Sequence, residues 1–174
     1  LTLAGAILLY VFESGNPETM ANLNTAGKIN ASIFQSITCR NAGFNTIATD
    51  GMHEISKFIT IIFMFIGAAP GSTAGGIKIT TFAVILYAII SQVKGRKETI
   101  IFKKKVPYST VNKALAITGL SFIVVLAITA IILVFEKQPF LNVLFEVTSA
   151  FGTCGLTTGL IPEFSSISKF LVVF

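Results

Sequence analysis

Apolar residues gather in runs separated by polar or glycine-rich breaks, and the run lengths predict the elements. Residues 1–12 read as the tail of an apolar helix. Glu13 to Lys28 is polar, with Asn16-Pro17 as a turn signal, and predicts an exposed loop. Ala31–Thr38 predicts a short apolar helix, far below the roughly 20 residues needed to cross a bilayer. Phe58–Ile66 and Ile77–Val93 are two apolar runs divided by G-A-A-P-G-S-T-A-G-G at 67–76. Leu115–Phe135 is long enough to cross. A second short segment follows, opened by Pro139, a residue suited to the first position of a helix, and a last apolar helix begins at Ile167.

Each short helix runs into a glycine-bearing loop, and the two loops repeat one another. Displacing the chain by 112 positions puts Gly43 on Gly155, Thr46 on Thr158, and Ile55-Ser56-Lys57-Phe58 on the identical Ile167-Ser168-Lys169-Phe170. Upstream the register slips by one, putting Phe34-Gln35 on Phe145-Glu146. Such self-similarity marks a repeated structural unit, here helix, short re-entrant helix, glycine loop, helix. Irregular backbone in a membrane is tolerated only where protein buries it or a watery cavity receives it. Thr153-Cys154-Gly155-Leu156-Thr157 has the shape of the potassium-channel filter T-V-G-Y-G, whose carbonyls replace an ion's water. Glycine at 43 and 155 permits the positive φ such a loop needs, and the negative end of each short helix favours a cation beyond it.

Composition agrees with a membrane protein: 53% hydrophobic, 12% charged, no tryptophan. Both ends fall within apolar runs, which predicts a longer chain. Charge concentrates in Lys94 to Lys113, where Lys94, Arg96, Lys97, Lys103, Lys104, Lys105 and Lys113 face only Glu98, a net +6 against +5 for the whole chain. A basic run can mark a nucleic-acid contact, but between two spans it reads as a cytoplasmic loop under the positive-inside rule. Both glycine loops then enter from outside. Cys39 and Cys154 each adjoin a glycine loop and are expected to be small buried side chains rather than a disulfide or a metal pair.

The break at 67–76 is expected inside the membrane, because the half-helix before it falls well short of the hydrocarbon core of about 30 Å. It is not a phosphate-binding loop, since Gly76 is followed by Ile77 before Lys78 is reached. Polar backbone at that depth must face a cavity, and Lys78 beside it points to an ion path. The segment therefore reads as a mobile gate. Arg40 and Glu146 are expected to brace the glycine loops rather than touch the ion, and His53 to face solvent. No Ser-His-Asp set, carboxylate pair or metal-ligand spacing supports an enzyme.

Taken together, T-C-R-N-A-G-F-N, F-G-T-C-G-L-T and F-I-G-A-A-P-G-S-T-A-G-G-I-K-I-T-T resemble motifs of the Trk/Ktr/HKT superfamily of cation transporters, nearest to its bacterial Ktr membrane subunits. The resemblance implies an all-α membrane protein of repeated helix–pore helix–filter loop–helix units around a pseudo-fourfold ion pore. Residues 1–93 would be a third-type repeat, 94–113 a cytoplasmic loop, and 114–174 a fourth-type repeat cut short in its last helix. Arg40, Asn41, Ala42 and Gly43 with Gly152, Thr153, Cys154 and Gly155 would bind the ion through backbone carbonyls. Gly67, Pro70, Gly71, Ser72, Thr73, Ala74, Gly75, Gly76 and Lys78 would form the gate. Also implied are potassium as the transported ion, no cofactor in this chain, a homodimer among plasma-membrane lipids, and a cytosolic ring of nucleotide-binding regulators. The rival readings are a sodium-preferring relative and a non-conducting membrane scaffold.

Overall fold

A computed structural model describes residues 1–173 except Asn41, Ala68, Arg96, Lys97, Phe102 and Lys103. Those six, expected in the first glycine loop, the break and the basic segment, lie outside the described residues. Among the described residues seven α-helices follow one another: α1 (Thr2–Glu13), α2 (Thr25–Thr38), α3 (Glu54–Phe65), α4 (Ile79–Val93), α5 (Tyr108–Phe135), α6 (Phe140–Phe151) and α7 (Ser166–Val173). A hairpin of β1 (Ile100–Ile101) and β2 (Lys104–Lys105) lies between α4 and α5, with Ile100 opposite Lys105. It falls in the segment expected to be an irregular loop.

Three helices begin earlier than the apolar pattern suggests, α3 among them, at Glu54 rather than Phe58. Asn24 caps α2 by accepting the Gly27 N–H at 2.7 Å, so the helix starts at Thr25 rather than Ala31. Its polar first turns carry no apolar signal. At 14 residues, about 21 Å long, it still cannot cross a bilayer. Similarly, α5 starts at Tyr108, and its 28 residues extend to about 42 Å. It is the one described helix long and apolar enough to span. Pro139 stands at the N-cap of α6, one place before the first helical position.

The expected exposed loop from Glu13 to Lys28 is corrected in part: Glu13, Asn16 and Met20 are buried. Glu13, at the end of α1, accepts from the Asn16 side-chain amide at 2.8 Å, the Thr19 hydroxyl at 2.6 Å, and the His53 N–H at 2.9 Å. His53 itself is exposed, as expected. The carboxylate thereby ties the end of α1 to the start of α3. In the second repeat Glu136, just past α5, accepts the Ser165 N–H just before α7 at 2.7 Å. His53 and Ser165 coincide when the sequence is displaced by 112 positions, and each donates its N–H to a carboxylate at the end of an earlier helix. The two glutamates are 123 positions apart, which hid the relationship from the sequence.

The first clasp is buried and the second exposed. Glu13→Ala strands three donors, so we expect a loss of about 3 kcal/mol, read by thermal unfolding of the detergent-solubilised transporter. Glu136→Ala should leave unfolding nearly unchanged. The Ser165 N–H and hydroxyl hold the Glu136 carboxyl below the usual range. Its small contribution is therefore present at neutral pH and lost as pH falls through that lowered value.

Helix α3 packs on both α1 and α6, while α6 also meets α5. One core gathers Ile59, Phe63 and Met64 of α3 with Phe145, Cys154 and Leu156 of the second repeat. Phe65, the last residue of α3, stacks on Phe151, the last of α6, with ring centroids 5.9 Å apart. By contrast α4 and α5 turn much of their apolar surface outward: Leu120, Ile123, Val93 and Val134 are all exposed. That surface suits lipid.

Candidate functional site

Both glycine loops hang from the C-terminal ends of short helices, α6 mostly buried and α2 buried along one face. At the end of α2 the Thr38 hydroxyl donates to the Phe44 carbonyl at 2.8 Å and accepts the Phe44 N–H at 3.1 Å. At the end of α6 the Ser149 hydroxyl donates to the Leu156 carbonyl at 2.6 Å. Phe44 and Leu156 directly follow Gly43 and Gly155, so one brace is used twice. Thr38 and Ser149 differ by 111 positions, Phe44 and Leu156 by 112. The one-residue slip in the repeat therefore falls between each short helix and its glycine.

The two glycines meet. Gly43 has φ +68° and Gly155 φ +81°, in the region where L side chains are disfavoured. A Cβ added at Gly43 would lie 2.8 Å from the Cys154 carbonyl oxygen and 3.4 Å from the Gly155 Cα. One added at Gly155 would lie 3.5 Å from the Gly43 Cα. Backbone thus touches backbone, and the Cys154 thiol, at 2.8 Å from the Cys39 carbonyl, ties the loops further. Both cysteines are buried and unbridged, as the sequence led us to expect.

Behind the second loop sits Glu146, buried in α6. Its Oε1 accepts from the Thr157 hydroxyl at 2.8 Å, the Thr158 N–H at 2.7 Å and the Thr158 hydroxyl at 2.8 Å. It braces the loop, as anticipated. Gln35, its counterpart, is buried with neither amide atom bonded among the described residues. Two of the Arg40 guanidinium nitrogens, Nε and Nη2, are buried without a partner among the described residues. Ala42 is exposed, and the Gly152 carbonyl accepts the Thr153 hydroxyl at 2.8 Å. Two open cavities flank the loops. One, about 450 Å³, is lined by Glu146, Thr153, Gly155 and Thr157. The other, about 480 Å³, is lined by Asn45, Thr46, Asp50, Thr157 and Thr158.

The break between α3 and α4 lies against this assembly. Its stem is pinned where the Ile77 N–H donates to the Phe65 carbonyl at 3.0 Å, bridging Ile66 and Ile77. Gly67 and Ala74 are buried, whereas Pro70, Gly71, Ser72 and Thr73 form an exposed tip. Gly67 admits no side chain, because the Gly75 carbonyl occupies that space. Gly76 at φ +70° sends its N–H to the Phe151 carbonyl at 3.2 Å. The Lys78 ammonium donates to the carbonyls of Ser72 and Ala74. Its charge is thus set against the loop's own carbonyls.

Sequence reasoning missed Thr38, Ser149, Thr157 and Thr158. Thr38 and Ser149 were within reach, since extending the Gln35–Glu146 register by three residues aligns two hydroxyls. Nothing local announced the threonine pair that Glu146 holds. Among the described residues no three His, Cys, Asp or Glu side chains gather as metal ligands.

A mostly helical chain with one helix long and apolar enough to cross a bilayer is consistent with an all-α membrane transporter. The chain belongs to the TrkH family of cation transport proteins, which it matches over residues 1–174. It is 44% identical over 168 residues to Ktr system potassium uptake protein B of Bacillus subtilis, covering 96% of this chain and 38% of that protein. To the protein of the same name from Vibrio alginolyticus it is 39% identical over 173 residues, 99% of this chain and 38% of the relative. The potassium/sodium uptake protein NtpJ of Enterococcus hirae is 30% identical over 177 residues, 99% of this chain and 39% of its own length. The chain thus spans under two fifths of the length of these relatives. It belongs with transporters and is not an enzyme.

Proposed function

We propose that this chain forms part of a potassium-conducting membrane transporter, with the loops around Gly43 and Gly155 contributing two sides of the selectivity filter. The observation that carries this reading is the meeting of the two positive-φ glycines, each following the C-terminal end of a short helix. Carbonyls of residues 40–43 and 152–155 would replace part of the ion's water, while helix C-termini supply a favourable field. Thr38, Ser149 and Glu146 hold the loops at fixed height, which separates potassium from a smaller ion. The loop 67–76 lies beside the second filter loop and closes the path when its tip occupies it. Lys94 to Lys113, with its hairpin, faces the cytoplasm and offers the regulatory ring a basic surface; the whole transporter works as a homodimer in the plasma membrane.

The test is uptake of potassium and of sodium by the whole transporter in liposomes. Potassium uptake that exceeds sodium uptake supports the reading. Protein that is folded and inserted but passes neither ion refutes it.

A further inference from the structure

Thr153 is the only described residue other than glycine at positive φ, +52°. A β-branched residue in that region is a genuine outlier, and such strain persists only where surrounding contacts impose it. Here the contacts are specific. The Thr153 N–H donates to the Ala150 carbonyl at 2.9 Å. Its hydroxyl donates to the Gly152 carbonyl at 2.8 Å and accepts the Gly75 N–H at 2.7 Å. The hydroxyl thus serves both as donor and as acceptor, joining the base of the second glycine loop to the interrupted helix.

The opposing surface is shaped to receive it. A Cβ at Gly75 would lie 2.6 Å from the Phe151 carbonyl oxygen and 3.0 Å from the Thr153 Cγ2, so only glycine lets the two segments approach. The next N–H, that of Gly76, reaches the Phe151 carbonyl. Gly76 adjoins the stem pinned at Ile77, whereas Gly75 leads into the tip. The bond to Thr153 is therefore the outermost of the ties to the second glycine loop, while Lys78 holds the Ser72 and Ala74 carbonyls from within the break itself.

We propose that the Thr153 hydroxyl is a latch: it holds the loop 67–76 against the base of the second filter loop, and its release frees the tip. This rests on the gate reading above and adds the group that keeps the gate shut. Thr153 acts through the loop, as a positioning residue, in addition to any carbonyl contact with the ion. It also couples the two parts, because moving the loop withdraws a donor from the hydroxyl that bonds the Gly152 carbonyl.

Thr153→Val removes the hydroxyl and keeps the branched shape; Thr153→Ser keeps the hydroxyl. In the whole transporter in liposomes, potassium uptake per folded protein should rise about two- to tenfold in Thr153→Val, the range expected for loss of one hydrogen bond. Thr153→Ser should remain below it. A second readout follows the loop itself: Ser72→Cys places a thiol on the exposed tip, while Cys39 and Cys154 are buried. Its labelling by a water-soluble maleimide should quicken when combined with Thr153→Val. Should Thr153→Val fail to fold, Gly75→Ala tests the same contact from the loop, its new Cβ pressing on the Phe151 carbonyl, with the same expected rise. Uptake at or below wild type with unchanged labelling overturns the latch. So does weaker potassium preference without faster labelling, which would confine the hydroxyl to the filter. Deletion of residues 71–75 separates the two readings: if deletion raises uptake and Thr153→Val does not, only the latch fails. If deletion itself leaves uptake unraised, the gate reading fails with it.

Discussion

Replacing Gly43 by serine is expected to damage discrimination of potassium from sodium more severely than the same change at Gly155. Repeat symmetry alone would make the two equivalent, since they share one register position. The structure separates them. At Gly43 a Cβ would press against the Cys154 carbonyl at 2.8 Å, a backbone atom that cannot turn aside. The second loop must shift, and with it the carbonyls proposed to face the ion. At Gly155 the nearest atom is 3.5 Å away, so the cost is mainly that of holding serine at φ +81°, of order 1–3 kcal/mol. Gly155→Ser should therefore fold and insert while losing part of its potassium preference. Gly43→Ser should lose most of it and unfold at lower temperature. Relative uptake of the two ions, measured with thermal unfolding of each variant, checks both. Unchanged ion preference in a folded Gly155→Ser protein removes that loop from the filter.

Deleting Gly71–Gly75 is expected to raise potassium uptake severalfold and to weaken control by any cytosolic partner. The segment removed is the exposed tip together with the Gly75 N–H that Thr153 holds. The stem should survive, because Ile66 and Ile77 are already bridged and Gly76 keeps its bond to Phe151. The Ser72 and Ala74 carbonyls bound by Lys78 leave with the tip, so its ammonium must find water or another carbonyl. If the loop were only a kink, shortening it would disturb packing and lower uptake. Uptake normalised to folded protein decides: a well-folded deletion protein no faster than wild type means that the loop does not gate.

The helices that were legible in the sequence are those whose signals are local. Run length marked α5 as a span, four glycines and a proline marked the break after α3, and the repeat marked both glycine loops. Boundaries that depend on polar caps were less legible, as the early start of α2 at Thr25 shows. The identical Ile-Ser-Lys-Phe segments show where local reading ends. Their serines, Ser56 and Ser168, are both buried, but Lys57 is buried with its ammonium 3.4 Å from the Asn142 amide oxygen, while Lys169 is exposed. The same four residues differ because α6 covers the Lys57 side of α3, whereas among the described residues Lys169 of α7 stays exposed.

The sequence by itself determined that the chain is mostly helical, that the stretches around Gly43 and Gly155 resemble one another, and that glycine lies in each loop. Periodicity, run length and glycine's freedom at positive φ act over a few residues, so they can be read without a fold. Only the tertiary structure decided that Gly43 and Gly155 abut, that Glu13 and Glu136 clasp their repeats, and that the loop 67–76 is tied through Thr153 to the second glycine loop. These contacts join segments tens to more than a hundred residues apart. They depend on how α3 packs between α1 and α6, a three-dimensional fit that no local pattern records.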